Sequence, residues 1–173
     1  MTMAEIMAVA AKRDPGLENA ALDFIMRQVR GDSSVALSER IAALVRARMG
    51  GSPAPVMTIA GSGNQGIFLG APYYELYRRR GDKILPAVVV SLLTQLFLTE
   101  EHKRISDDCG LATKAGPALA AGLAFAGGRD PAEIRRIMRD VEHRLRDMRC
   151  YGAHPSCGTK AARAYRQVLR SLA

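Results

Sequence analysis

Residues 115–128 read AGPALAAGLAFAGG, a stretch with no charged side chain and few bulky ones. Ala and Gly on a helix let neighbouring helices approach closely, so this segment belongs at the centre of a close-packed helical core. The remaining apolar inventory agrees. Hydrophobic residues make up 48% of the 173, yet there are only 4 Phe and 5 Tyr and no Trp. The interior must be filled by Ala, Leu, Val, Ile and Met, which suits packed helices. A chain of this length is about one domain, or one subunit of something larger.

Periodicity and punctuation place the other elements. Residues 3–12 and 16–30 are expected to be helical, divided by Asp14-Pro15. Ser33 or Ser34 offers a cap for a third helix ending at Gly50, with Ile41, Leu44, Val45 and Met49 on one face. The stretch 50–66, GGSPAPVMTIAGSGNQG, is too rich in Gly and Pro for regular helix. Helix resumes over 67–80, with Pro72 early in it. The run ILPAVVVSLLTQLFL, 84–98, is short for a bilayer span and contains Ser91, Thr94 and Gln95, so it reads as a buried helix with Pro86 in its first turn. Asp130-Pro131-Ala132-Glu133 supplies an N-cap, a proline at N1 and an acid at N3. Beyond it Ile134, Ile137, Met138, Val141, Leu145 and Met148 make one apolar stripe. A last helix is expected from Gly158 or Thr159 to Leu172. The expected fold is all-α: one compact domain over 1–173, with about six to eight helices and a Gly-rich substrate loop.

The net charge of +8 comes from 25 Lys and Arg against 17 Asp and Glu. Much of it lies in Arg78, Arg79 and Arg80 and between Arg135 and Arg149, on the polar faces of amphipathic helices. Nucleic acid is not the expected partner, because no motif or aromatic stacking platform accompanies the charge. Residues 1–10 lack the positive region of a secretory leader, so a cytoplasmic location without a membrane span is expected.

Two features carry chemistry. GSGNQG, Gly61–Gly66, matches the G-x-G-x-x-G of dinucleotide sites and follows VMTIA, a possible strand. The match stops there: the apolar run that follows is too long for the next strand, and the first fifty residues read as helices. The loop's backbone N–H groups, with Ser62, Gly63, Asn64 and Gln65, still suit a carboxylate. The second feature is the cysteines. Cys150 and Cys157 flank a Gly/Pro turn, and Cys109 stands some forty residues earlier. Three thiolates allow a Cys₃His zinc site with His154, or a [4Fe–4S] cluster on three cysteines with one iron open. Three unrelated buried thiols are the third possibility. Spacing leaves these open.

Three blocks together resemble a known family. Ala47–Ile67, with its PVM and GSGNQG, resembles a stretch of the L-cysteine desulfidases, relatives of the α chain of iron–sulfur L-serine dehydratases. Cys109–Gly128, a CG followed by a small-residue helix, is similar to their next block. MRCYGAHPSCGTK, Met148–Lys160, resembles their C-x₆-C block with its lysine three residues on. The resemblance implies a helical catalytic domain with a [4Fe–4S] cluster on Cys109, Cys150 and Cys157. It implies elimination of water or hydrogen sulfide from a small amino acid or related hydroxy acid such as L-serine or L-cysteine, leaving a 2-oxo acid and ammonia. The Ser62–Gln65 loop would hold the substrate carboxylate and Lys160 would serve as base; His154 and Lys114 are poorer candidates. His102 and His143 are expected at the surface. Family members are several hundred residues long, and the likeness covers only their C-terminal catalytic portion. A second subunit supplying the N-terminal half is therefore expected. The competing class is a zinc-stabilised helical module that binds a protein or RNA partner.

Overall fold

A computed structural model describes residues 1–103 and 105–173. Among them are eight α-helices and no strand, as expected. These are α1 (Met3–Ala11), α2 (Pro15–Met26), α3 (Leu37–Met49), α4 (Gly63–Arg80), α5 (Leu85–Glu101), α6 (Gly116–Ala126), α7 (Pro131–Leu145) and α8 (Ser156–Leu172). A 3₁₀ turn, Gly81–Ile84, joins α4 to α5, and a π-helical turn, Leu111–Ala115, leads into α6.

The small-residue segment is the hub. α6 packs against α5, α7 and α8, while α1 and α2 lie on α5 and α3 pairs with α8. Close approach is needed at Gly122, where a Cβ would lie 2.1 Å from the Tyr73 hydroxyl and 2.2 Å from Ser91 Oγ. Those hydroxyls are fully buried and stand 2.6 Å apart. Ser91 donates to the Ala118 carbonyl at 2.7 Å, and the Tyr73 oxygen lies 3.2 Å from the Ala87 carbonyl. A polar knot thus ties α4, α5 and α6 together inside an otherwise apolar core, and burial pushes the Tyr73 phenol well up.

Helix starts follow local chemistry. Thr2 with Glu5, and Asp130 with Glu133, form capping boxes, and Asp14 caps α2. Neither Ser33 nor Ser34 caps α3: Ala36 takes that position without a side-chain bond. Asp32 accepts from both Ser34 N and Ser34 Oγ, so the serine is held in a local turn instead. α2 ends at Met26, four residues early. α4 begins at Gly63, so Pro72 lies in mid-helix, and α8 begins at Ser156. The stripe on α7 is buried at Ile134, Ile137, Val141 and Leu145; Met148 is buried just beyond the helix.

The run from 84 to 98 is a buried helix, as expected. The continuous helical path Gly63–Glu101 passes a length-and-hydropathy test for a membrane span, but 61% of its apolar window is buried inside the fold. It also turns at Gly81, where φ is +58°.

Candidate functional site

The glycine-rich stretch is held from behind. The side chain of Gln28, almost wholly buried, donates to the Met57 carbonyl at 3.1 Å and accepts from Met57 N at 3.2 Å. It thereby satisfies an irregular backbone that has no ladder partner. Ile59 and Ser62 then exchange backbone hydrogen bonds of 3.2 and 2.9 Å across a tight turn with positive φ at Ala60 (+50°) and Gly61 (+81°). Among the described residues the only strand-like feature near VMTIA is this bridge, so the dinucleotide reading has no βα unit to stand on.

Ser62 caps α4, its Oγ accepting from Gln65 N at 3.3 Å. Gly63, Asn64 and Gln65 are therefore the first turn of a helix, not a loop. Gly66 is required there: a Cβ would lie 1.9 Å from the Met57 carbonyl oxygen. This turn is the positive end of the α4 dipole. Arg48 stands beside it, its Nη1 donating to Asn64 Oδ1 at 3.2 Å. The Gln65 amide is fixed from within by a hydrogen bond from the buried Gln95 side chain.

Two cysteines are brought together by backbone. Cys109 N donates to the Met148 carbonyl at 3.0 Å and Cys150 N to the Asp107 carbonyl at 2.7 Å, an antiparallel bridge reinforced by an Asp108–Arg149 ion pair. Cys157 comes from the first turn of α8, with its Sγ 3.8 Å from the Gly152 carbonyl oxygen. All three cysteines and residues Ser62–Gln65 line one cleft of about 290 Å³, with Arg48 on its wall. Cys109 is buried, Cys157 half-buried and Cys150 exposed. Burial pushes the Cys109 thiol up, opposed by hydrogen bonds from the Leu111 and Ala112 backbone and by the positive charge of Lys160.

Lys160 does not line the cleft. Its Nζ donates to the Arg149 carbonyl at 2.6 Å and lies 4.8 Å from the centre of the Tyr151 ring. Lys114 is 2% exposed, donates to the Lys103 carbonyl, and lines a neighbouring cavity on the other side of Gly61, Ser62 and Gln65. Burial lowers its pKa. His154 is also outside the cleft: Nδ1 accepts from Ser156 N at 3.1 Å and lies 2.8 Å from Ser156 Oγ. His102 and His143 are exposed, as expected. Among the described residues no three His, Cys, Asp or Glu side chains gather around a point that could hold one metal ion.

Sequence reasoning did not single out Gln28, Arg48 or Gln95. Gln95 was visible only as a polar residue in the apolar run 84–98, and Gln28, two residues beyond the end of α2, carried no sequence signal. Arg48 is one of many arginines, although its place just before the Gly50-Gly51 break was visible.

The fold and cleft define an all-α domain in which cysteines from three segments face a glycine-rich helix start. The profile of the serine dehydratase alpha chain family matches residues 3–172, and the chain belongs to that family. It is 34% identical over 152 residues to a UPF0597 protein of Fervidobacterium nodosum, covering 83% of this chain and 36% of that one. Against a UPF0597 protein of Caldanaerobacter subterraneus it is 33% identical over 140 residues, 79% of this chain and 33% of the other. A UPF0597 protein of Clostridium botulinum is 28% identical over 120 residues, 68% of this chain and 28% of its own. The chain thus spans about a third of the length of these curated relatives. No solved structure matches.

Proposed function

We propose that the 173 residues form one catalytic domain, the iron–sulfur part of a cytoplasmic lyase acting on a small β-hydroxy or β-thiol amino acid. The products are water or hydrogen sulfide, a 2-oxo acid and ammonia. The observation that carries this reading is the convergence of Cys109, Cys150 and Cys157 with the N-terminal turn of α4 in one cleft. The donor set suits a cluster better than a single ion. One zinc needs four donors at about 2.0–2.3 Å, whereas a [4Fe–4S] cluster spreads its thiolates over separate irons. His154 is committed to the start of α8, which weighs against a Cys₃His clip.

Cys109, Cys150 and Cys157 would hold the cluster, which supplies a Lewis-acidic iron that polarises the leaving group. The rest is the chain's own work. The N–H groups of Gly63 and Asn64, at the positive end of α4, and the Arg48 guanidinium bind the substrate carboxylate. Ser62 and Gln65 orient that turn and offer further polar contacts. Lys160 accepts the α-proton, which requires its Nζ to leave the Arg149 carbonyl. Lys114 is a second reading for the base, favoured by the burial that lowers its pKa and opposed by its position behind the loop. The rest of a longer relative, or a second subunit, would close the cleft's open side.

The test is iron and sulfide analysis of protein purified without oxygen, followed by assays of 2-oxo acid release from serine and cysteine. About four iron and four sulfide per chain are expected. Serine at any of the three cysteine positions should remove cluster and activity while the helical circular dichroism stays. Colourless protein with about one zinc, unfolding on Cys157→Ser, would replace this reading with the zinc-stabilised binding module.

A further inference from the structure

Gln95 sits in the apolar run of α5 with no exposed surface. Its Nε2 donates to Gln65 Oε1 in the first turn of α4. Its own Oε1 is buried and has no hydrogen-bond partner among the described residues. An unpaired buried acceptor is destabilising, and a methionine would fill much the same space without one. Packing therefore gives no reason for a glutamine here, and its side-chain bond leads to the wall of the cysteine cleft.

That bond decides which atom Gln65 shows to the cleft. In a planar amide the oxygen and the nitrogen diverge from one carbon. With Oε1 held by Gln95, the Gln65 Nε2 lies over Gly110, so close that a Cβ there would stand 2.4 Å from it. Gln65 and Gly110 both line the cleft, as do Cys109 and Arg48. Among the described residues Nε2 makes no hydrogen bond, and it is not sealed from solvent as Gln95 Oε1 is. If both amides were turned over, the bond between them would survive, but an acceptor would stand over Gly110 and repel an anion.

We propose that Gln95 is a positioning residue. It holds the Gln65 amide so that its N–H groups face the cleft and donate to the substrate carboxylate, and Gly110 leaves the room that this pose needs. Gln95 touches no substrate itself. It acts through Gln65 and makes that edge of the cleft a donor, which favours a carboxylate over an ammonium group. The inference rests on the carboxylate site of the proposed function and not on the cluster.

Isothermal titration of the chain purified without oxygen, with pyruvate as a small 2-oxo acid, tests it. Saturable binding is expected below about 10 mM. Gln95→Met should weaken it about fivefold to tenfold while the melting temperature holds or rises. Gln65→Ala should weaken it by a similar factor, and the double variant should bind no more weakly than Gln65→Ala alone. Gly110→Ala, which crowds the Gln65 amide directly, should also weaken pyruvate. The double variant decides whichever way the melting temperature moves. Unaltered affinity in Gln95→Met or Gly110→Ala, or additive losses in the double variant, would overturn the inference and leave the lyase reading standing. No saturable binding by the wild type would overturn the carboxylate site and the inference together.

Discussion

Ala60 holds a left-handed conformation at φ +50°, where a Cβ meets the backbone unfavourably. The turn into α4 is set by this residue and Gly61. Ala60→Gly should relieve the strain and raise stability by up to about 1 kcal/mol, read as a higher urea midpoint at unchanged slope. A lower midpoint would mean that the turn is not strained. Lys114 makes a different prediction, through pH. Burial depresses its pKa, so as pH falls through the ordinary lysine range the unfolded chain takes up the proton first. The wild-type protein therefore loses stability there, down to the folded pKa, and Lys114→Met does not. The variant's melting temperature minus that of the wild type should rise as pH is lowered from alkaline toward neutral. A flat difference would place Lys114 in water. At this scale the sequence showed the cysteines and the Ser62–Gln65 turn because each has an unusual composition. Gln28, Arg48 and Gln95 were hidden because their roles depend on partners 29, 16 and 30 residues away.

Among the elements, α7 was the most legible, since its cap, proline and apolar stripe all agree. Asp130 accepts from Ala132 N and Glu133 N, both at 2.8 Å. Asp130→Ala should cost about 1 kcal/mol and lower the melting temperature by about 2–4 °C, measurable by calorimetry. The start of α4 was misread for the opposite reason. Gly63 and Gly66 are poor helix formers, yet the Ser62 cap and the need to pack against the Met57 carbonyl overrule propensity. The π-helical turn at Leu111–Ala115 carried no local signal at all. Nor did the backbone bridge between Asp108 and Arg149, because it joins segments forty residues apart and its one sequence trace is the opposite charge of those two residues.

For the whole molecule, the all-α class followed from composition, while the packing partners of each helix did not, because small residues fit many neighbours. Ile105 and Tyr151 are 88% and 79% exposed, and both lie close to the cysteine cleft or the cavity behind it. We read these two exposed side chains as contacts for a second chain, a reading that association in solution tests. In solution the chain alone should self-associate, and Ile105→Ser combined with Tyr151→Ser should return it to a monomer by light scattering without lowering its melting temperature. A wild-type monomer would assign these residues no such role. The Asp108–Arg149 backbone bridge, which sets Cys109 beside Cys150, has a further consequence. It makes the π turn, α6 and α7 a closed loop whose entrance and exit are the same doorway. Length added at the exposed Gly127–Gly128 turn would leave both cysteines where they stand. The far end of that loop is free to be rebuilt by evolution or design, while the doorway is not.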